Sequence, residues 1–163
     1  MPWVSYKGAW LPHSRLEFAT DNPHPEPLFK KVDCLRIAVP DLEEGLAFYR
    51  DRLGHDLLWR TQTGAGLRMP ETDAEIVLQT ERDAFEIDLL VSSADAAAEA
   101  IVAAGGSVVV PPFDIQIGRC VVVRDPWNNQ LVLLDMSKGP LQTNAHGTVI
   151  SPTGDQIPGQ GDL

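Results

Sequence analysis

At 163 residues with a formal net charge of −10, the chain has room for one full domain and repels polyanions at long range, so nucleic acid is not an expected partner. Hydrophobic residues make up 44 % and charged residues 22 %, the mix of a folded globular domain. No apolar run approaches the roughly 18 to 20 residues of a membrane span. The N-terminus MPWVSYKGAW also lacks a signal peptide's layout, so the expected location is cytoplasmic, with no membrane partner.

Residues 1–31 carry Pro2, Pro12, Pro23, Pro25 and Pro27 without sustained periodicity and read as an N-terminal arm. Val32 to Val39 is a strand ended by Pro40. Asp41 then caps a helix with Glu44 three residues on, Leu42, Leu46, Tyr49 and Leu53 recur at helical spacing, and Gly54 stops it. Leu57 to Thr63, Gly66 to Met69 and Glu75 to Thr80 are three further strands, which makes the unit βαβββ. The order then repeats. Glu86 to Val91 is a strand, Ser92 or Ser93 caps the Ala-rich helix Asp95 to Ala104, and Gly105-Gly106 ends it. Ser107 to Val110, Arg119 to Arg124 and Gln130 to Asp135 complete the second unit. An offset of 52 residues superposes the two units, so they are expected to be structural duplicates, 33–80 and 86–136, within one domain at 32–136. A Gly- and Pro-rich tail, 137–163, follows. Trp3, Trp10, Val149 and Ile150 give both ends something to dock with, on the core or on a second subunit.

VPDLEEGLAFYRDRLG at 39–54, AAGG at 103–106 and PPFDIQIGRCVVVRDPWNNQLVLLD at 111–135 resemble the glyoxalase, bleomycin-resistance and extradiol-dioxygenase superfamily, also called vicinal oxygen chelate. The resemblance covers about 32–136. It implies an α+β fold in which two βαβββ modules form a curved, mixed, eight-stranded sheet, and it leaves the reaction open among lyases, isomerases, epimerases, dioxygenases, thiol transferases and plain drug-binding proteins. Asp125-Pro126-Trp127-Asn128-Asn129 resembles the family's Asp-Pro-x-Gly-Asn turn, with Asn128 at a position where Asn tolerates positive φ. We read it as a hairpin without a catalytic role.

Family enzymes hold a divalent metal through side chains on the first and last strands of each module. The matching positions here are Cys34, Val77, Glu86 and Val132, of which only Glu86 is an ordinary oxygen ligand, so the resemblance implies no cofactor and no metal at this set. His13, His24, His55 and His146 have no ligand spacing. Cys34 and Cys120 lie in strand-like apolar contexts and are expected as buried free thiols.

Strand alternation adds a reading of its own. Leu35, Ile37 and Val39 share one face, as do Ile87, Leu89 and Val91, and these aliphatic faces should meet the helices. The opposite face, curved into a cup, then receives Cys34, Arg36, Glu86 and Asp88, with Arg36 and Asp88 at matching positions of the repeat. Either these charges form an internal salt bridge and nothing more, or Arg36 binds an anionic or carbonyl oxygen while Glu86 or Asp88 moves a proton as catalytic acid-base. Trp59, Arg68, Gln79 and Phe113 are candidate wall residues. Two functions follow: a metal-independent protein that binds a small organic molecule in the cup, or a lyase or isomerase of glyoxalase type using Glu86 or Asp88. A homodimer is expected, since an open sheet leaves edges and a cup rim to cover.

Overall fold

The computed structural model describes residues 3–6, 9–12 and 26–150 of the chain. In the N-terminal arm, β1 (Trp3–Tyr6) and β2 (Ala9–Pro12) pair antiparallel, Trp3 opposite Pro12 and Tyr6 opposite Ala9. Residue-by-residue periodicity gave no sign of this hairpin. The remaining strands are β3 (Lys31–Ala38), β4 (Leu57–Arg60), β5 (Gly64–Arg68), β6 (Glu75–Gln79), β7 (Glu86–Leu90), β8 (Ser107–Ile115), β9 (Gly118–Arg124) and β10 (Gln130–Leu134). They form one mixed eight-stranded sheet in the order β4-β5-β6-β3-β7-β10-β9-β8. The first strands of the two repeats, β3 and β7, meet antiparallel at the centre, and each is parallel to the last strand of its own repeat, β6 and β10 respectively. This is the duplicated βαβββ arrangement expected from the sequence.

Both helices begin where their caps stand. Asp41 accepts from the Glu44 N–H at 2.9 Å to start α1 (Leu42–Leu46), and Ser93 accepts from the Ala96 N–H at 3.2 Å to start α2 (Ala94–Ala103). Gly54 and Gly105 follow with φ of +80° and +93°, the left-handed conformation that ends a helix. The first helix departs from expectation in one respect, because Ala47–Arg52 is wound as a π-helix. Such a turn needs about five residues to return to the same face. Leu53, four after Tyr49, therefore turns outward and is 53 % exposed, while Tyr49 stays packed on the core.

Two aliphatic clusters lie between helices and sheet, as alternation requires. Leu42 and Leu46 pack on Ala65, Leu67 and Leu78, and Ala94, Ala97 and Ala98 pack on Val91, Val121, Val123 and Leu133. A third cluster, Cys120, Val122, Val132 and Leu134 with Phe113 and Ile115 against it, fills the opposite face of the second repeat. That half of the cup is apolar, and the first repeat supplies the polar half. Asp125 organises the β9–β10 turn by accepting from the N–H groups of Trp127 and Asn129, with Asn128 at φ 72°, so the motif is a hairpin as read.

Most strand limits fall within two residues of the sequence reading, β5 beginning at Gly64 in place of Gly66, and two differ by more. β8 runs through Pro111 and Pro112 to Ile115 instead of stopping at Val110, which is possible because β8 is an edge strand with two register shifts. β4 ends at Arg60, where the tail takes over. The Arg60 N–H donates to the Gly147 carbonyl at 2.7 Å and the Val149 N–H to the Arg60 carbonyl at 2.8 Å, and Val149 is buried. The tail thus caps the free edge of β4, and the opposite edge is broken by the two prolines.

Candidate functional site

A cavity of about 270 Å³ opens on the sheet face away from the helices. Leu58 and Trp59 of β4 and Ile115 at the end of β8 line the same space, although β4 and β8 are opposite edges of the sheet. The sheet must therefore curl, and Met136 with Pro140 and Leu141 of the tail completes the wall.

The floor is set by β3. Arg36 and Cys34 point into the cavity side by alternation, and the Arg36 Nε donates to Asp88 Oδ2 at 2.9 Å. The same Nε stands 3.6 Å from Glu86 Oε1, while Arg82 Nη1 holds Glu86 Oε2 at 3.0 Å. The geometry unites Cys34, Arg36, Glu86 and Asp88 as the repeat implied, but at different depths. Asp88 is 1 % exposed and lies behind Arg36, and neither Asp88 nor Glu86 lines the cavity. The two terminal guanidinium nitrogens of Arg36 make no hydrogen bond among the described residues, and the side chain is 31 % exposed on the cavity floor. The carboxylates behind it orient the fork, and the fork faces the open space.

Burial works against the Arg36 charge and the Asp88 carboxylate more than restores it, so the guanidinium is held firmly protonated. Burial, with Asp88 beside it, pushes the Glu86 carboxyl upward against the pull of Arg82 and Arg36. The Cys34 thiol is also pushed up by burial and by Asp88, to which it donates a hydrogen bond at 3.3 Å. Burial pushes Cys120 up to about 12, and both cysteines are free and buried as expected.

The four wall candidates separate. Trp59 lines the cavity, its Nε1–H donating to Glu75 Oε2 at 2.6 Å. Gln79 also borders it, yet its amide is consumed by the loop after β6, accepting from the Glu81 and Arg82 N–H groups and donating to the Arg82 carbonyl. Arg68 is exposed and does not line the cavity, its carbonyl accepting from His55 Nδ1 at 2.9 Å. Phe113 packs into the apolar cluster of the second repeat, away from the open space.

Three lining carboxylates escaped the sequence reading, Asp33, Glu75 and the exposed Glu81 just beyond β6. Glu75 shares its face with Val77 and Gln79 by alternation, so the signal was present. Asp33 was not findable that way, since period two assigns it to the helix side with Leu35. A register shift between Val32 and Cys34, opposite β7, re-aims Asp33 into the cavity. Burial raises the carboxyl pKa of Asp33 and of Glu75, and each is also raised by a neighbouring acid, Asp88 for Asp33 and Asp33 for Glu75. The Trp59 ring itself sits over Gly66, where a Cβ would run into the indole. Gly66→Ala is expected to displace the ring and cost about 1 to 3 kcal/mol, read by urea unfolding, with a changed near-ultraviolet tryptophan signal.

The four family metal positions do not fit a metal. Val77 and Val132 have no lone pair to give, the Cys34 thiol is hydrogen-bonded to Asp88, and Glu86 is engaged by Arg82 and Arg36, although its Oε1 has no hydrogen-bond partner. Among the described residues no three His, Cys, Asp or Glu side chains form a metal-holding group.

Fold and site together define a duplicated open-sheet protein with a small, partly polar cup on the face opposite its helices. The chain belongs to the Glyoxalase/Bleomycin resistance protein/Dioxygenase superfamily, whose profile matches residues 31–133. Among solved structures it is similar to methylmalonyl-CoA epimerase from Mycobacterium tuberculosis, with 21 % identity and a TM-score of 0.59 over 77 % of this chain and 96 % of that one. It is also similar to homoprotocatechuate 2,3-dioxygenase from Brevibacterium fuscum, at 22 % identity and 0.53 over 69 % and 38 %. The Mn(II)-bound glyoxalase from Novosphingobium aromaticivorans matches at 18 % and 0.51 over 72 % and 43 %. These similarities establish the fold. Comparison with curated proteins gives no match.

Proposed function

We propose that the chain binds a small organic molecule in its cup without the divalent metal of its superfamily. The observation that carries this reading is the Arg36 fork, held from behind by Asp88 and presented to a cavity of about 270 Å³. Sites for small ligands combine an apolar lining with a few fixed polar groups, and here Ile115, Ile117, Leu141 and Met136 line the same cavity as Arg36. A small-molecule fragment screen by ligand-observed NMR, with Arg36→Lys and Trp59→Phe as controls, tests it. Hits that weaken in both variants are expected, and hits indifferent to both would refute the reading. Elemental analysis of purified protein should give well under one Ni, Zn, Fe or Mn per chain, and about one, lost in Glu86→Ala, would refute the metal-free part.

A second reading, a lyase or isomerase acting next to a carbonyl, is favoured by the raised carboxyl pKa values around the cup. Arg36 would polarise the carbonyl while a carboxylate takes the adjacent proton. Glu75 and Asp33 line the cavity, whereas Glu86 and Asp88 would need Arg36 to swing aside. Solvent-deuterium incorporation into a bound carbonyl compound separates this reading from plain binding.

No helix is long and apolar enough to cross a membrane among the described residues. We further propose a homodimer. The tail and the prolines manage both sheet edges, but Phe29, Val32, Phe85 and Ile87 remain exposed along the central strands. Light scattering at micromolar concentration should give twice the chain mass, and a monomer would refute it.

A further inference from the structure

Three of the charged groups that line the cup, Arg36, Asp33 and Glu75, have opposite signs and unmet bonding capacity. Arg36 has two terminal nitrogens without a partner among the described residues. Asp33 makes no side-chain hydrogen bond there, and Glu75 engages only Oε2, through Trp59, which leaves Oε1 free. Such groups are costly to leave dry and unpaired, so a ligand that displaces the water must replace its bonds.

Their placement is ordered. Glu75 is the register partner of Cys34 and Val77 that of Arg36, so Glu75 lies one pleat repeat along the sheet from the arginine. Two residues of strand amount to roughly 7 Å. Asp33 falls on the Glu75 side, being three residues before Arg36. The cup floor therefore carries Arg36 at one level and Asp33 and Glu75 at the other, beside apolar Ile115, Ile117, Leu141 and Met136, while the third lining carboxylate, Glu81, stands solvent-exposed at the rim beyond β6 on the Arg36 side. A simple anion would satisfy Arg36 while meeting repulsion from Asp33 and Glu75. A simple cation would leave the arginine fork empty.

We propose that the cup ligand is a small amino carboxylate, its carboxylate on Arg36 and its ammonium group between Asp33 and Glu75, with an apolar spacer against the wall. The inference rests on the binding reading above and specifies the chemical class that reading leaves open. It also assigns to Asp33 and Glu75 the work of choosing the ligand.

The test uses 4-(aminomethyl)benzoate, a rigid zwitterion whose charges are separated by about one such repeat, beside its singly charged relatives benzoate and benzylamine. Calorimetric titration of the full chain should give at least tenfold tighter binding for the zwitterion than for either relative. Asp33→Asn combined with Glu75→Gln should erase that advantage, bringing the zwitterion to the level of benzoate while leaving benzoate no weaker. Arg36→Lys, chosen because truncation of Arg36 endangers folding, should weaken the zwitterion and benzoate together and leave benzylamine unchanged. Benzoate or benzylamine binding as tightly as the zwitterion would overturn the proposal, as would an unaltered zwitterion affinity in the Asp33, Glu75 double variant. If none of the three binds although fragments from the NMR screen compete at Arg36 and Trp59, the amino carboxylate assignment fails and the binding cup stands. If no fragment binds there either, both fail.

Discussion

Arg36→Ala is expected to lower the unfolding free energy by about 3 to 5 kcal/mol, the cost of stranding a buried charge. Asp88 is 1 % exposed, its Oδ1 has no partner, and the donors to its Oδ2 are the Arg36 Nε and the weakly donating Cys34 thiol. If instead water from the cup entered the vacated space and solvated Asp88, the loss would be about 1 kcal/mol or less, as for an exposed pair. The depth of Asp88 behind the cavity floor decides for the larger figure. Adding Asp88→Asn to Arg36→Ala should recover much of the loss, because the orphaned charge is gone. Urea unfolding of the wild type, both single variants and the double closes the cycle, and a coupling near zero would show that the pair is only a surface contact. The pair then has two roles at once, holding the two central strands together and aiming the guanidinium at the cup.

Asp135→Ala should be nearly as costly, about 3 kcal/mol or more, since buried donors lose their acceptor together. Asp135 is 4 % exposed. Its Oδ1 accepts from the Arg119 N–H at 3.0 Å, the Ser137 N–H at 3.1 Å and the Ser137 hydroxyl at 2.6 Å, and its Oδ2 from the Ala94 N–H at 2.9 Å. One carboxylate thus ties the start of α2 to β9 and to the beginning of the tail. Burial acts to raise its pKa and these hydrogen bonds outweigh it, leaving the pKa below the ordinary 3.8. The folded state then binds fewer protons than the unfolded chain below that value. Its contribution is fully present above about pH 4 and is lost as the pH falls through the lowered pKa. Asp33 and Glu75 act in the opposite sense. Their raised values mean that the folded state holds protons the unfolded chain has released, so their contribution declines as the pH rises from about 4. Asp135→Asn should flatten the acid limb of the stability curve, and Asp33→Asn the limb above it, both readable as urea midpoints against pH.

Much of this molecule is legible along the chain because the signals are local. Asp41 and Ser93 cap helices by bonding backbone three residues on, Gly54 and Gly105 stop them by taking positive φ, and the aliphatic faces of β3 and β7 follow from period two. The 52-residue repeat then implies the duplicated sheet. Val77 and Val132 are equally legible, since no fold gives a hydrocarbon side chain a metal-binding lone pair. Only the tertiary structure decided which charges meet the cup. Arg36, Glu86 and Asp88 share a face by alternation, but depth on that face depends on what neighbouring strands place above it, and Arg36 covers Asp88. Asp33 reaches the cavity through a bulge, a mismatch between two strands that neither strand's sequence contains alone. A further wall comes from Pro140, Leu141 and Thr143 of the tail, a segment whose proline- and glycine-rich sequence carries no periodicity and which is held in place by pairing of Gly147 and Val149 with Arg60 at the far edge of the sheet.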